Sequence, residues 1–420
     1  MKRILLILVG LGGIVALIPY LVQLGEPRGR DYESETVWER RISTIVMLSS
    51  DEKQEWIQKA ASDFGRLRPD INIQVKVMSS VDGMNAILSR QVTPTLWSPA
   101  ESAMLTYLLH RWRQEFGVSL FKLDGEDAPQ SLARSPVVWL SWRSRIDAIT
   151  TALNRDSVWA DIGCAGVPHD PVEWPAQLAR WSDLIDPRLT ETGVDARTIS
   201  SWGDVKFFHT DPTRTNVGFH AIYLMTYQFL IADQAMKWPA PVTTNMLDDK
   251  KFLTWFRRCQ RLRKDYPSSV RTLTRRPLQF GPKNYDIVVT YENLALGDVI
   301  AMHKNWPDEQ PYIYYPPLTT WADHPVVILN SGALTPDQRD AARDWIAFLL
   351  APDRQRSLIS FGLRPIHPRI SVRDQHVDNP FVKGPQFGVQ IEPKFDSPPG
   401  LDGETIDHLL DMWRKATGYY

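Results

Sequence analysis

RISTIVMLSSDEKQEWIQKAASDFGRLRPDINIQVKVM, residues 41–78, decides the fold. Residues 41–48 read as a strand. In residues 53–68, Trp56, Ala60 and Phe64, with Ile57 and Ala61 beside them, recur every three to four positions, which is the apolar face of a helix. In residues 70–78, Ile71, Ile73, Val75 and Val77 alternate with polar neighbours, which is a half-buried strand. Strand, helix, strand in this order is how a parallel sheet with crossover helices is written.

The same alternation continues outward. A short helix over 84–90 and a strand over 95–97 follow, and Ser98-Pro99 opens a helix over 101–113, with Pro at its first position and Glu three after Ser. Pro136-Val137-Val138-Trp139-Leu140-Ser141-Trp142 reads as a strand leaving this first region. Residues 143–284 begin loop-rich, with many Trp and Pro, then give a strand at 205–209 and a long apolar helix at 217–232. Strands at 286–290 and 325–329 and helices at 293–303 and 335–350 follow, the last with Ala341, Ala342, Trp345, Ile346 and Leu349 on one face. The final seventy or so residues read as irregular until a helix near 406–415.

A chain of 420 residues is too long for one small core, so the expected fold is α/β with two lobes, each a mainly parallel sheet flanked by helices. The expected division is a membrane segment at 1–25, a linker at 26–40, lobe 1 at 41–140, lobe 2 at 141–286, a return to lobe 1 at 287–365 and a C-terminal extension at 366–420.

A formal net charge of -1 gives no basic surface for nucleic acid, so the expected partner is a small solute or another protein. Lys2 and Arg3 precede an uncharged run from Ile4 to Gly25, long enough to cross a hydrocarbon core of about 30 Å. The run lacks a small-residue cleavage site, so an uncleaved anchor in the inner membrane is expected, with a cleaved signal as the alternative. Both place the body outside the cytoplasm, in the periplasm or at the cell surface. Cys164 and Cys259 fit no zinc spacing; they form either one bridge or two buried thiols.

Function is carried by a recurrence in which a strand ends in Ser, Thr or Tyr and a helix starts directly after it. This happens at Ser49-Ser50, Ser79-Ser80, Ser98, Thr210 to Asn216, and Tyr291. In an open parallel sheet the carboxyl ends of the strands share one edge, where ligands bind and helix N-termini offer free N–H groups. The competing reading is plain capping: Ser49 with Glu52, and Ser98 with Glu101, both fit a capping box. Arg214 offers a fixed positive charge for an anion, or is a surface residue.

These residues resemble the bacterial extracellular solute-binding proteins of ABC importers, with the bilobal type II periplasmic-binding fold. The likeness rests on Ser49 to Phe64, on Pro94-Thr95-Leu96-Trp97-Ser98-Pro99-Ala100, on Ala133-Arg134-Ser135-Pro136-Val137-Val138 and on His209-Thr210-Asp211-Pro212. Tyr291-Glu292, Tyr315-Pro316-Pro317, His324-Pro325 and Phe361-Gly362-Leu363-Arg364-Pro365 follow in the order that family uses. The resemblance implies two crossing strands, Val137 to Trp142 and Ile287 to Tyr291, and a solute held between the lobes for an ABC permease, with no cofactor or metal. It implies ligand contacts from Ser49, Ser50, Ser79, Ser80, Ser98 and Ser135 on one side, Thr210, Thr215 and Asn216 on the other, and Tyr291 at the hinge. Three departures stand out: Ser79-Ser80-Val81-Asp82-Gly83 replaces the usual Gly-Ser entry to the second helix, no lipid-attachment Cys is present, and a tail follows Pro365.

Catalysis is not expected, because G-x-S-x-G, H-E-x-x-H and phosphate-loop patterns are missing, and His209 with Asp211 reads as structural. A membrane-anchored sensory or assembly module on the same fold is the alternative to transport. The Ser and Thr junctions argue for an anion or amino-acid-like solute. The Trp content, with Trp97, Trp139 and Trp142 near the expected cleft, argues for a stacked sugar or for core packing.

Overall fold

The structure, a computed structural model, describes residues 42–153, 158–165, 180–185, 194–261, 265–330, 334–375 and 378–419. The expected membrane segment and linker lie outside these residues. From the quoted stretch come β1 (Ser43–Ser49), α1 (Gln54–Leu67) and β2 (Ile71–Val77), followed by α2 (Ser80–Leu88), β3 (Leu96–Ser98) and α3 (Ser102–Phe116). Next come β4 (Gln130–Ser131), β5 (Ser135–Trp142), α4 (Arg143–Ala152), α5 (Val158–Gly163), α6 (Ala196–Ser201), β6 (Phe207–Phe208) and α7 (Asn216–Ala232). After α8 (Thr244–Leu247), α9 (Lys250–Arg261) and α10 (Val270–Phe280), the chain forms β7 (Ile287–Tyr291), α11 (Glu292–Asn305), β8 (Pro311–Tyr314), β9 (Trp321–Ala322) and β10 (Pro325–Ile328). It closes with α12 (Pro336–Leu350), α13 (Pro352–Ser357), α14 (Pro380–Lys383) and α15 (Gly403–Thr417).

The strands make two sheets, in the orders β2-β1-β3-β10-β4 and β6-β7-β5-β8, with β9 paired to the start of β5. β1 runs parallel to β2 and to β3, as the strand–helix–strand reading requires. β2 lies at the edge of its sheet, and its burial alternates, as its sequence does. β5 and β7 are buried along their whole length and read as continuous apolar runs, the pattern of central strands covered on both faces. They are the two strands expected to cross, and they pair antiparallel with Val137 opposite Tyr291. In the second sheet only β6–β7 is parallel, since β8 also runs antiparallel to β5. The chain regains the first sheet through β10, antiparallel to β3.

Helix α1 buries Trp56, Ile57, Ala60 and Phe64 beneath the first sheet, with the Phe64 ring edge-on to Trp345 of α12 at 5.3 Å. Each large side chain removed from water in this way contributes about 1.5–3 kcal/mol. α12 starts on a complete capping box, Thr335 with Gln338, with Pro336 in its first turn. Trp97, Trp139 and Trp142 are core residues, at most 1% exposed, so none is an open stacking surface for a sugar.

Several expectations change in the second half. Residues 143–284 contain α4, α9 and α10 as well as the expected α7. α9 was hidden because its apolar face, Phe252, Trp255, Phe256 and Cys259, is interleaved with five basic residues. The strand at 205–209 shrinks to Phe207–Phe208. Cys164 and Cys259 form a disulfide with Cα atoms 4.5 Å apart, joining the end of α5 to α9; both helices pack on α7. The helix expected near 406–415 is α15, which buries Ile406, Leu409, Leu410 and Trp413.

Candidate functional site

At the end of β1 the chain enters a 3-10 turn, Asp51–Lys53, before α1. The capping box expected of Ser49 and Glu52 does not form. The Ser49 hydroxyl donates to the Ser50 carbonyl at 3.2 Å, and the Ser50 hydroxyl donates to Glu52 Oε1 at 2.5 Å. Lys53 Nζ donates to Ser50 Oγ at 2.5 Å, to Glu52 Oε1 at 3.0 Å and to the Ser98 and Pro99 carbonyls, both at 3.0 Å. His324 Nδ1 lies 3.1 Å from Glu52 Oε1. Burial works against the charge on Glu52, but the Lys53 ammonium beside it, with His324 and Ser50, holds its carboxyl well below the usual range. Burial draws both Lys53 and His324 downward, and their contacts with Glu52 offset part of that. This cluster is fully inside, with Lys53 and Glu52 side chains 0% and 2% exposed.

Ser79 precedes α2 without capping it; its hydroxyl donates to the Arg214 carbonyl at 2.6 Å. The Arg214 guanidinium pairs with Asp82, which raises its pKa, at 2.9 Å and 3.1 Å. Arg214 therefore offers no free charge of the kind the sequence suggested. Ser80 Oγ accepts from the Ala100 N–H at 3.0 Å, a contact that joins α2 to the loop after β3.

The box expected of Ser98 and Glu101 is also absent. α3 begins at Ser102, Glu101 is its N-cap in extended conformation without a side-chain cap bond, and Pro99 lies before the helix. The Glu101 side chain instead reaches the opening turns of α7. Asn216 Nδ2 donates to Glu101 Oε2 at 3.2 Å and to Tyr291 Oη at 3.1 Å, and His220 Nε2 contacts the same Glu101 oxygen. Thr320 Oγ1 is 3.5 Å from Glu101 Oε1. Burial, then the charge of Asp323, pushes the Glu101 carboxyl up to about 8, and burial pushes His220 down to about 3. Both groups are thus neutral near pH 7, and their contact is a hydrogen bond rather than an ion pair.

α7 is positioned by its cap and by a glycine. Thr215 accepts from the Gly218 N–H at 3.1 Å, a true N-cap, and its hydroxyl is 2.5 Å from that of Thr210. A Cβ on Gly218 would stand 2.3 Å from the Thr210 carbonyl oxygen, so only glycine lets α7 start this close to the end of β6. Asp211 accepts from Thr213 N–H and hydroxyl, and His209 Nδ1 lies 2.8 Å from the Thr210 carbonyl; both hold the turn. Ser135, at the start of β5, bonds Asn293, whose Nδ2 donates to the Glu52 carbonyl at 2.8 Å.

Asn216 and Tyr291 thus meet Glu101 at one buried junction, and Ser50 and Ser98 lie in the adjoining cluster around Lys53; the Tyr291 and His324 rings, one from each, are 6.0 Å apart. Ser79 sits at the rim, and Ser49, Ser80, Ser135, Thr210 and Thr215 are engaged by backbone or by each other. The sequence reading missed Glu52, Lys53, Glu101, His220 and His324. Glu52 and Glu101 were visible, but their spacing pointed to caps. Four buried polar atoms in these two clusters lack a hydrogen-bond partner among the described residues: Ser98 Oγ, Asn216 Oδ1, His220 Nδ1 and His324 Nε2. Native proteins rarely leave such atoms unpaired unless a water or ligand meets them. A cavity of about 220 Å³ opens beside Glu52 and Lys53, walled by Arg271, Thr274, Asn293 and Phe361. Among the described residues no group of three His, Cys, Asp or Glu side chains is placed to hold a metal ion.

Residues 45–364, well over half of the chain, match the family described as bacterial extracellular solute-binding protein. A search of curated proteins finds no match. Among solved structures, the periplasmic binding protein P5PA is similar at 10% identity and TM-score 0.53, covering 89% of this chain and 99% of that one. The ferric binding protein from Campylobacter jejuni gives 11% identity, TM-score 0.51 and coverage of 88% and 96%. Iron-bound HitA from Pseudomonas aeruginosa gives 13%, 0.50, and 89% and 99%. At these identities the likeness establishes the α/β fold of two sheets flanked by helices, and nothing about the solute.

Proposed function

Since the chain belongs to the bacterial extracellular solute-binding proteins, we propose that it holds a small solute between two lobes, outside the cytoplasm, and presents it to an ABC importer. One lobe is built on the sheet β2-β1-β3-β10-β4 and the other on the sheet β6-β7-β5-β8, and the run from Ile4 to Gly25 serves as the membrane anchor. The observation that carries this reading is the buried junction itself. It draws Glu101 from the turn after β3, Asn216 and His220 from α7 and Tyr291 from β7, borders the Lys53 cluster that holds Ser98, and leaves polar atoms unpaired. Closure on a solute is then a hinge motion about β5 and β7, with the unpaired atoms completed by the solute.

The test is a thermal-shift screen of anions, amino acids, amines and sugars on the purified full chain, followed by calorimetry of any hit. Binding that Asn216→Ala and Ser98→Ala both weaken supports the site. Binding untouched by either would place the solute elsewhere.

A second reading, a sensory or assembly module without transport, is favoured by α15. Its Asp407 accepts from the Tyr107 hydroxyl of α3 at 2.6 Å, while Trp413 Nε1 donates to Gln260 of α9 at 3.3 Å. A helix fastened to α3 beside one sheet and to α9 beside the other restrains opening. Small-angle scattering with and without the solute separates the two: a change in radius of gyration supports an opening binder, an unchanged radius a fixed module.

A further inference from the structure

We propose that the solute of this cleft carries a hydrogen-bond-donating cation, a primary ammonium group, and that Glu101 is its counter-ion; this rests on the solute-binding reading above. The argument is a count of donors and acceptors. An anion needs donors, and the cationic donors at the junction are already committed. Lys53 has three protons facing four acceptors, namely Ser50 Oγ, Glu52 Oε1 and the Ser98 and Pro99 carbonyls. Arg214 is paired with Asp82.

The helix N-terminus that would attract an anion is occupied as well. The Glu101 carboxyl lies against Asn216 and His220, in the opening turns of α7, where an anionic solute would sit.

What remains unpaired is mostly lone pairs. His324 Nδ1 faces the ionised Glu52 and must carry the proton of its neutral ring, so the buried Nε2 is a bare acceptor. Asn216 uses its amide N–H groups on Glu101 and Tyr291, leaving Oδ1 as a second acceptor. When Glu101 is ionised, His220 Nε2 donates to it and His220 Nδ1 becomes a third. Asn216, His220 and His324 are each at most 2% exposed. An ammonium group brings three donors and one positive charge, which is what a buried carboxylate without a cation, among residues with unpaired acceptors, lacks. It also removes the reason for Glu101 to hold a proton, since the burial that neutralises the acid is then offset by an adjacent cation. A metal ion is a poorer fit, because no three ligating side chains converge here among the described residues.

The experiment uses the full chain and four probes: 1,4-diaminobutane, lysine, sulfate and glucose. At one hundred times its Kd an amine raises the melting temperature by about 4 °C. Glu101→Gln, which keeps the shape and removes the charge, weakens amine binding about tenfold or more. A shift with sulfate or glucose and none with either amine overturns the cation while leaving the solute-binding reading intact. An amine shift that Glu101→Gln leaves unchanged overturns the role of Glu101. No shift with these probes or with any member of the wider screen overturns both.

Discussion

Two glutamates stand in the same local setting and meet opposite fates. Glu101 follows β3 and stands just before α3, and Glu292 follows β7 and opens α11. Arg364, 72 residues away, lays its Nε and one terminal nitrogen on the Glu292 carboxylate at 2.6 Å and 2.7 Å. The Tyr315 hydroxyl donates to the same carboxylate, and Arg364 spends other protons on the Gln390 and Ile391 carbonyls. That pair is electrically closed, and it fastens the segment at Gln390 and Ile391 to the end of β7. Glu101 meets an amide, an imidazole and a hydroxyl but no cation, and it adjoins atoms left unpaired. The difference teaches that a buried acid with its own cation is closed architecture, whereas one without it keeps its proton and leaves room for the proposed solute to complete it.

The sharpest way to break the comparison is Arg364→Ala. It leaves Glu292 buried and unpaired and should cost about 3–5 kcal/mol in denaturant unfolding. A loss near that of an exposed pair would mean that Glu292 is as uncompensated as Glu101.

Next in size is pH. The Glu101 carboxyl rises from an ordinary 4.5 to about 8 in the folded chain, so its protonated form favours the fold. That contribution is complete below about 4.5 and is lost as the pH rises through about 8. Between pH 5.5 and 7.5, wild-type stability relative to Glu101→Gln should fall by up to about 1.4 kcal/mol per pH unit. Parallel stability curves for the two proteins would contradict the raised acid.

A smaller effect separates ligand contact from capping. Asn216→Ala should weaken solute binding by about 0.5–1.5 kcal/mol, measured by calorimetry. Thr215→Ala, a true cap, should instead lower stability by about 1 kcal/mol and leave affinity unchanged. The reverse pattern would move the site from the amide to the cap. Smallest is Asp344→Ala, which removes an Arg68 contact whose side chains are 41% and 48% exposed. It should change stability by less than about 1 kcal/mol in the same denaturant assay, the solvent-screened baseline against which both glutamates are judged.

The sequence by itself determined the strand–helix alternation, the central strands β5 and β7, and the family likeness. Each rests on apolar periodicity, which a strand or helix expresses wherever it lies. It also singled out Asn216 and Tyr291, whose side chains do meet. It could not say what the side chains there do, because capping and ligand contact draw on the same residues at the same spacing. Glu52 and Glu101 fit capping boxes equally well, and neither forms one, since Lys53 with His324 claims the first and α7 the second. Only the tertiary structure decided that Glu292 receives Arg364 from 72 residues away while Glu101 receives His220 from 119 and no cation. The charge state of a buried carboxyl is set by what other elements bring within hydrogen-bond reach after desolvation, and local spacing carries no record of that.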